Sequence, residues 1–258
     1  MIRCRENGLV YYRFELFEPY PELQHGVFTR VGGVSPPPRQ GLNLAFAEGE
    51  PEAYARKNLD LAAEALGFEG LSFAGQAHGD QALVIRAEDN YRPRSRRDVI
   101  RGYDALITPD PAVGLLLKLA DCQGVILYDP GTRVVALVHS GWRGSVKNVL
   151  GRTVRRLEAE FGVRPADLLA GVSPSLGPCC AEFVNYEREL PESFWGYGRG
   201  DLFDFWAISR DQLTEAGVRP EKIEVSGMCT KCGDEGFYSY RREGITGRFG
   251  LVAGRLPE

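Results

Sequence analysis

The sequence predicts an α+β protein: a single domain, residues 1–258, of mixed β-sheets flanked by helices. Between Leu71 and Val138 the chain passes through short apolar runs separated by glycine, proline and aspartate breaks, which is the signature of strands. Beyond His139 the period changes, and Val146, Val149, Leu150, Val154, Leu157 and Phe161 recur at helical spacing. No internal repeat, low-complexity tract or linker divides the 258 residues, which are enough for one large core.

The elements follow in order. Leu9 to Leu16, rich in tyrosine and phenylalanine, reads as a strand, and Gly26 to Arg30 as another. Glycines and prolines from Gly32 to Leu44 argue for an irregular loop. Pro51 opens a helix through Leu66 that Gly67 stops. Strands are expected at 71–74, 82–86, 105–108, 113–119, 125–128 and 134–138, the last two joined by the turn Asp129-Pro130-Gly131-Thr132. The continuous apolar run Val134-Val135-Ala136-Leu137-Val138 predicts burial on both faces. One helix is expected from Val146 to Phe161 with Gly162 as its stop, and a shorter one at 208–216 before Gly217. Further strands are expected at 168–172, 223–225 and 237–240.

Composition excludes several function classes. The net charge is -4, so no basic excess advertises nucleic acid. The run Arg92-Pro93-Arg94-Ser95-Arg96-Arg97 is local, is followed by Asp98, and reads as a solvated loop. No apolar stretch approaches the ~20 residues of a membrane span, and the longest, Val113 to Ala120, is interrupted by Lys118. The start, Met1 to Asn7, lacks the apolar core of a signal peptide, so a cytoplasmic protein is expected, with its six cysteines reduced.

Chemistry concentrates at three residues. His78, Cys122 and His139 each lie in a polar or glycine-rich break: Gln76-Ala77-His78-Gly79, Ala120-Asp121-Cys122-Gln123 and His139-Ser140-Gly141-Trp142-Arg143-Gly144. The chain has only three histidines, so two of the three sit in such breaks with a thiol between them. Two imidazoles and a thiolate form a zinc ligand set with one position open, the catalytic pattern. Taken singly, each also has a plainer reading: a buried cysteine as a small hydrophobe, a strand-end histidine bonded to backbone.

Other residues stay two-sided. Cys229-Thr230-Lys231-Cys232 is half of a zinc or redox motif, but the adjacent pair Cys179-Cys180 has poor chelating geometry for the other half, and both read as structural. Arg143, at the start of the long helix, suits an anion or, equally, a surface salt bridge. Ser239-Tyr240-Arg241-Arg242 is a second basic wall or a solvated strand. Asp121 orients a ligand or caps a strand end. His25 reads as structural.

Together these pieces resemble a family, the bacterial YfiH and YlmD proteins of the laccase-domain or "polyphenol oxidase" family, now regarded as purine nucleoside phosphorylases. The resemblance rests on Thr29-Arg30-Val31-Gly32-Gly33-Val34-Ser35, Gly41-Leu42-Asn43-Leu44, Gln76-Ala77-His78-Gly79, Asp104-Ala105-Leu106-Ile107-Thr108, Ala120-Asp121-Cys122 and the His139 to Gly144 segment. It continues through Gly177-Pro178-Cys179-Cys180, Cys229-Thr230 and Phe237 to Arg242, in family order over nearly the whole chain. It implies the family's single α+β domain and zinc on His78, Cys122 and His139, which are also the catalytic residues. It implies phosphorolysis of adenosine, inosine, guanosine and S-methyl-5'-thioadenosine, and hydrolytic deamination of adenosine. Purine nucleosides and phosphate would be the partners, and Asn43, Arg143 and Ser35 the substrate-binding residues. This sequence departs from the family at Ser140, where alanine is usual, at Gln123-Gly124, where a proline is usual, and at Leu59, where an arginine commonly follows the helix asparagine, here Asn58. The last departure leaves the phosphate ligands open.

Three other readings compete. A copper-dependent phenol oxidase, the family's older name, needs more imidazoles than three. A metal-free hydrolase with Cys122 as nucleophile and His139 as base leaves His78 without a role. A structural zinc in an interaction module is the non-enzymatic reading.

Overall fold

Two six-stranded mixed sheets lie against each other, and helices cover their outer faces. The computed structural model describes residues 1–234 and 236–257. The chain begins with β1 (Ile2–Glu6), β2 (Leu9–Arg13) and β3 (Leu23–Phe28), followed by the helix α1 (Glu52–Glu64) and strands β4 (Leu71–Ser72), β5 (Ala82–Val84), β6 (Ala105–Thr108), β7 (Gly114–Leu119), β8 (Gln123–Tyr128) and β9 (Val135–Ser140). Helices α2 (Trp142–Val146) and α3 (Val149–Phe161) precede β10 (Leu169–Val172). The short helices α4 (Tyr186–Glu189) and α5 (Glu192–Trp195) lead to the hairpin β11 (Gly198–Arg199) and β12 (Leu202–Phe203). Helix α6 (Phe205–Glu215), β13 (Ile223–Val225), α7 (Tyr240–Glu243) and β14 (Phe249–Arg255) complete the chain.

The first sheet has the order β1-β2-β3-β14-β7-β4 and the second β13-β10-β8-β9-β6-β5. Each is antiparallel at its centre, with parallel pairs at β4–β7, β10–β13 and β5–β6. This is the expected α+β class with mixed sheets. Alternation explains the layering. Leu115, Leu117 and Leu119 of β7 meet Leu106, Ile126, Val135 and Leu137 between the sheets, whereas Leu116 points outward to Leu59, Ala62 and Leu66 of α1 and its C-terminal end. In β9, Val135 and Leu137 enter the central core while Ala136 and Val138 face Val149, Leu150, Val154 and Leu157 of α3. Both faces are covered, which is why the run has no polar alternation. Each fully buried leucine here contributes about 1.5–3 kcal/mol relative to exposure.

Several expectations need correction. The helix expected from Val146 is two helices: Asn148 adopts φ 54°, its side-chain oxygen accepts from Gly151 N, and Val146 is left 40% exposed at the end of α2. The local side-chain bond competes with helix continuation and wins. Phe237–Tyr240 is no strand; it runs as coil into α7, whose N-cap Ser239 accepts from Arg242 N. The strand expected to Leu16 stops at Arg13 and gives way to a 3-10 turn over Glu15–Phe17. Four strands were not anticipated: the short hairpin of β11 and β12, and the strands β1 and β14. β1 is charged and exposed, an edge strand that buries little. β14 contains Gly250 and Gly254, which argue against a strand; yet it lies fully buried between β3 and β7. A Cβ at Gly250 would come 2.4 Å from Leu44 Cδ1, and one at Gly254 2.3 Å from the Val113 carbonyl. Close packing, not turning, selects glycine there. Among the described residues no helix is long and apolar enough to cross a membrane.

Candidate metal centre and substrate cavity

Cys122 sits where the chain crosses from one sheet to the other, after β7 and directly before β8. β8 and β9 pair antiparallel with Gly124 opposite His139, so the thiol and the imidazole arrive at the same sheet edge. Gly124 permits the crossing: a Cβ there would meet Leu251 Cδ2 at 2.7 Å and Leu119 Cδ1 at 2.8 Å. His78 comes from the loop between β4 and β5. Gln76 ties that loop to β7 like an extra rung, accepting from Lys118 N and donating to Lys118 O, both at 3.0 Å. One donor atom each from His78, Cys122 and His139 lies within 4.8 Å of the others, and the two rings stand edge to face with centroids 4.9 Å apart. The structure thus brings all three sequence-identified residues together.

Asp104 organises them. It is fully buried at the start of β6 and accepts from His139 Nδ1 at 2.8 Å, His78 N at 2.9 Å, Gly79 N at 2.7 Å and Ala77 N at 3.2 Å. Its hydrogen bond assigns the proton of neutral His139 to Nδ1 and leaves Nε2 as the free donor. His78 has φ 55°, a left-handed conformation that the three amide bonds to Asp104 hold in place. Asp121, at φ 87°, is fixed likewise: its carboxylate accepts from Thr230 Oγ1 at 2.7 Å and Arg241 N at 2.6 Å. Gly141 closes the group from beneath, since a Cβ there would lie 2.7 Å from His78 Nδ1 and 3.1 Å from Cys122 Sγ.

The electrostatics match the geometry. Burial opposes ionisation of the Cys122 thiol, but the charge and hydrogen bond of His139, helped by His78, outweigh it and bring it down to about 6. Burial likewise opposes a charge on His139, and the Cys122 thiolate with the Asp104 hydrogen bond raises it to about 9. A thiolate flanked by imidazoles is a soft-to-borderline donor set with a carboxylate behind it. It fits a zinc ion: tetrahedral Zn–S of about 2.3 Å and Zn–N of about 2.0 Å place donors about 3.3–3.6 Å apart, and the three donor atoms here all lie within 4.8 Å of one another.

The three residues line a cavity of about 610 Å3. Trp142, Phe183 and Phe205 form one contiguous aromatic group in its lining, with Phe183 5.2 Å from Phe205 and 6.1 Å from Trp142 between ring centroids. Lys118, Arg241 and Arg248 add positive charge. Burial, with Arg101 and Arg248 nearby, lowers Lys118 to about 8, and its ammonium lies 4.3 Å from the centre of the Phe73 ring. Sequence reasoning did not single out Asp104, Lys118, Arg248 or the aromatic group. The three breaks at His78, Cys122 and His139, Asp121 and the basic run Ser239 to Arg242 marked part of the lining.

Asn43, Ser35 and Arg143, expected at the substrate, are not among the residues that line this cavity. Asn43 is fully buried and bonds Ala45, Glu50 and Arg248 N, so it stands behind the cavity wall. Ser35 is buried against Asn58 Nδ2. Arg143 is exposed, with its guanidinium 4.2 Å from the centre of the Trp142 indole. The cysteines held to be unrelated do meet: Cys179, Cys180, Cys229 and Cys232 converge, because the turn after β10 and the loop after β13 run side by side. The adjacency of Cys179 and Cys180, a poor chelating arrangement in extended backbone, concealed this.

Known proteins resemble the chain over its length. A purine nucleoside phosphorylase of Deinococcus radiodurans is 34% identical over 93% of this chain and 91% of its own. The purine nucleoside phosphorylase YlmD of Bacillus subtilis is 30% identical over 88% of this chain and 86% of its own. The crystal structure of YlmD from Geobacillus stearothermophilus superposes with a TM-score of 0.86 at 29% identity, covering 99% of each chain. With residues 24–255 matched by its model, the chain belongs to the family described as multi-copper polyphenol oxidoreductase laccase.

Proposed function

We propose that this protein is a zinc-dependent purine nucleoside phosphorylase. The observation that carries the reading is the meeting of His78, Cys122 and His139 in a cavity whose lining is both aromatic and cationic. Relatives of similar length named purine nucleoside phosphorylase support it. The substrates are adenosine, inosine, guanosine and S-methyl-5'-thioadenosine, and adenosine is also deaminated hydrolytically.

The chain's residues divide the work. Phe183, Phe205 and Trp142 offer flat apolar surface to a purine. Lys118, Arg241 and Arg248 hold phosphate as an anion facing the ribose. A phosphate oxygen then forms a bond to the anomeric carbon while the bond to the base nitrogen breaks, the base leaving with the electron pair and gaining a proton. His78, Cys122 and His139 hold the metal, with Asp104 orienting His139. Zinc, when bound, supplies Lewis acidity at its fourth position. Asn43 acts by holding the backbone of Arg248, with Ser35 behind it through Asn58. Arg143 offers an anion contact next to Trp142. A cytoplasmic location, where nucleosides and phosphate occur together, belongs to the same reading.

The copper oxidase suggested by the family description conflicts with the histidine count of three, too few for a trinuclear cluster and a blue site. A metal-free cysteine hydrolase has one point in its favour: Cys122 and His139 lie close together, and each favours the charged form of the other, lowering the thiol and raising the imidazole. Incubation of zinc-loaded protein with adenosine and phosphate should yield adenine, ribose 1-phosphate and some inosine. None of the three appearing, with zinc bound, overturns the proposal. Thiol alkylation that abolishes turnover equally fast with and without zinc favours the hydrolase.

A further inference from the structure

Behind the wall of the nucleoside cavity, four thiols meet with no role in the chemistry above. The Sγ atoms of Cys179, Cys180, Cys229 and Cys232 all lie within 4.8 Å of one another, and Cys179 and Cys232 are 3.4 Å apart. We propose that these four cysteines bind a second zinc ion, a closed structural site that braces the wall of the nucleoside cavity.

The spacing suits a tetrahedral ion. With Zn–S near 2.3 Å, sulfurs sit about 3.8 Å apart, within the range the four already span. Four sulfurs and no carboxylate is the donor set of zinc or iron rather than of a hard cation. Four protein ligands leave no open position, which separates this site from the three-ligand group at His78, Cys122 and His139.

Local backbone prepares each pair. Cys229-Thr230-Lys231-Cys232-Gly233 forms a tight turn in which Gly233 N donates to Cys229 O at 2.9 Å. Gly177 N donates to Cys229 Sγ at 3.3 Å, a bond that favours sulfur as thiolate. Across from it, Cys180 N and Ala181 N both donate to Gly177 O at 2.9 Å. That turn curls the backbone so that two adjacent side chains face one centre, the geometry an extended Cys-Cys pair lacks. Gly177 cannot carry a side chain, because a Cβ would lie 2.7 Å from the Trp206 ring and 3.2 Å from Cys229 Cβ. Cys229 is buried while Cys179 and Cys232 are exposed, so an ion reaches the site from solvent.

The location explains what the ion would do. The stretches 173–185 and 226–239 contain no regular helix or strand among the described residues. Long irregular segments order poorly without a cross-link. These two are joined at the Ser175–Cys229 bridge, and both reach Asp121: Leu176 N donates to its backbone oxygen at 2.8 Å and Thr230 Oγ1 to its carboxylate. Asp121 precedes Cys122, while Leu176 and Ala181 line the cavity. Binding at the four thiols therefore fixes one side of the first site without touching substrate.

The test counts zinc. Protein produced in zinc-supplemented medium should carry two zinc ions per chain. A His78→Ala/His139→Ala variant and a Cys229→Ser/Cys232→Ser variant should carry one each, and the second should melt earlier than the parent. Where the serine variant fails to fold, cobalt added to the His78→Ala/His139→Ala protein provides the readout, with the intense thiolate charge-transfer absorption of a four-sulfur site expected. The proposal is overturned by one zinc per chain in the parent with these thiols freely alkylated. Iron in place of zinc, or a mass lower by two hydrogens from a Cys179–Cys232 disulfide, overturns it as well. Because the readouts are metal content and spectra, failure here leaves the nucleoside reading standing, and the converse holds.

Discussion

Asp104 accepts from His139 Nδ1 and from three successive backbone N–H groups at residues 77–79, so one buried carboxylate positions two of the three candidate ligands. Asp104→Asn keeps the shape but places an amide N–H against donors and releases the tautomer of His139. Zinc affinity should fall about 10–100-fold, with turnover following it. Asp104→Ala should in addition destabilise the fold by about 3 kcal/mol or more, since the loop amides lose their buried partner. Competition with a chromogenic chelator measures the first effect and chemical denaturation the second. Unchanged zinc affinity in the asparagine variant would mean that Asp104 is a loop anchor alone.

Gly141→Ala tests the same centre from the opposite side. The residue has φ -81° and ψ 173°, which alanine adopts freely, so the backbone should tolerate the change. The added methyl, however, would press on His78 Nδ1 and Cys122 Sγ, leaving no room for both to reach one ion. A folded protein with near-parental melting but at most a tenth of the parental zinc affinity is expected. Full zinc content would show that the ligands sit further from Gly141 than they do here.

Lys118 gives a pH signature to phosphate binding. Its ammonium, lowered to about 8 by burial and by Arg101 and Arg248, is charged below that pH and neutral above it. If it holds phosphate, KM for phosphate should rise as pH climbs from 7 past 9. Lys118→Met should raise KM for phosphate about 10- to 100-fold at pH 7, as loss of a charge-assisted hydrogen bond implies, and should remove the alkaline limb. Steady-state kinetics across that range decides it, and a variant retaining the parental alkaline limb would shift the role to Arg241 or Arg248.

Much of this was legible in the residues, and the misses have physical reasons. Apolar runs such as Val134–Val138 mark strands because both faces are covered, and the Asp129–Thr132 turn announces the β8–β9 hairpin that brings Gly124 opposite His139. β14 was hidden because its glycines answer to Leu44 and Val113, residues distant in sequence. His78, Cys122 and His139 could be singled out because histidine is scarce in this chain. Asp104 could not, because one aspartate before a strand looks like any cap and its value depends on three loop amides arriving from elsewhere. Cys179 and Cys180 were set aside for local geometry that only the turn at Gly177 reverses.

The third histidine supplies a test of the fold itself. His25 on β3 is fully buried; Phe14 N donates to its Nε2 at 2.9 Å, and its ring lies 5.0 Å from that of Phe17. Burial, with Arg13 nearby, lowers it from 6.5 to about 4, so it is neutral in the native state. The lowered value fixes the sign. Between about pH 6.5 and 4 the unfolded chain binds a proton at this residue that the native state does not, so stability rises with pH across that window. The contribution is fully present above 6.5 and is lost on acidification, about 3 kcal/mol in all for a displacement of this size. His25→Gln can still accept from Phe14 N but does not titrate. It should be less stable than the parent at pH 7, with the gap narrowing steadily toward pH 5. Denaturant unfolding of both proteins at pH 7, 6 and 5 measures this, the carboxylates common to both cancelling in the difference. A gap that stays constant over that range would mean that His25 takes up a proton without leaving its place between Phe14 and Phe17.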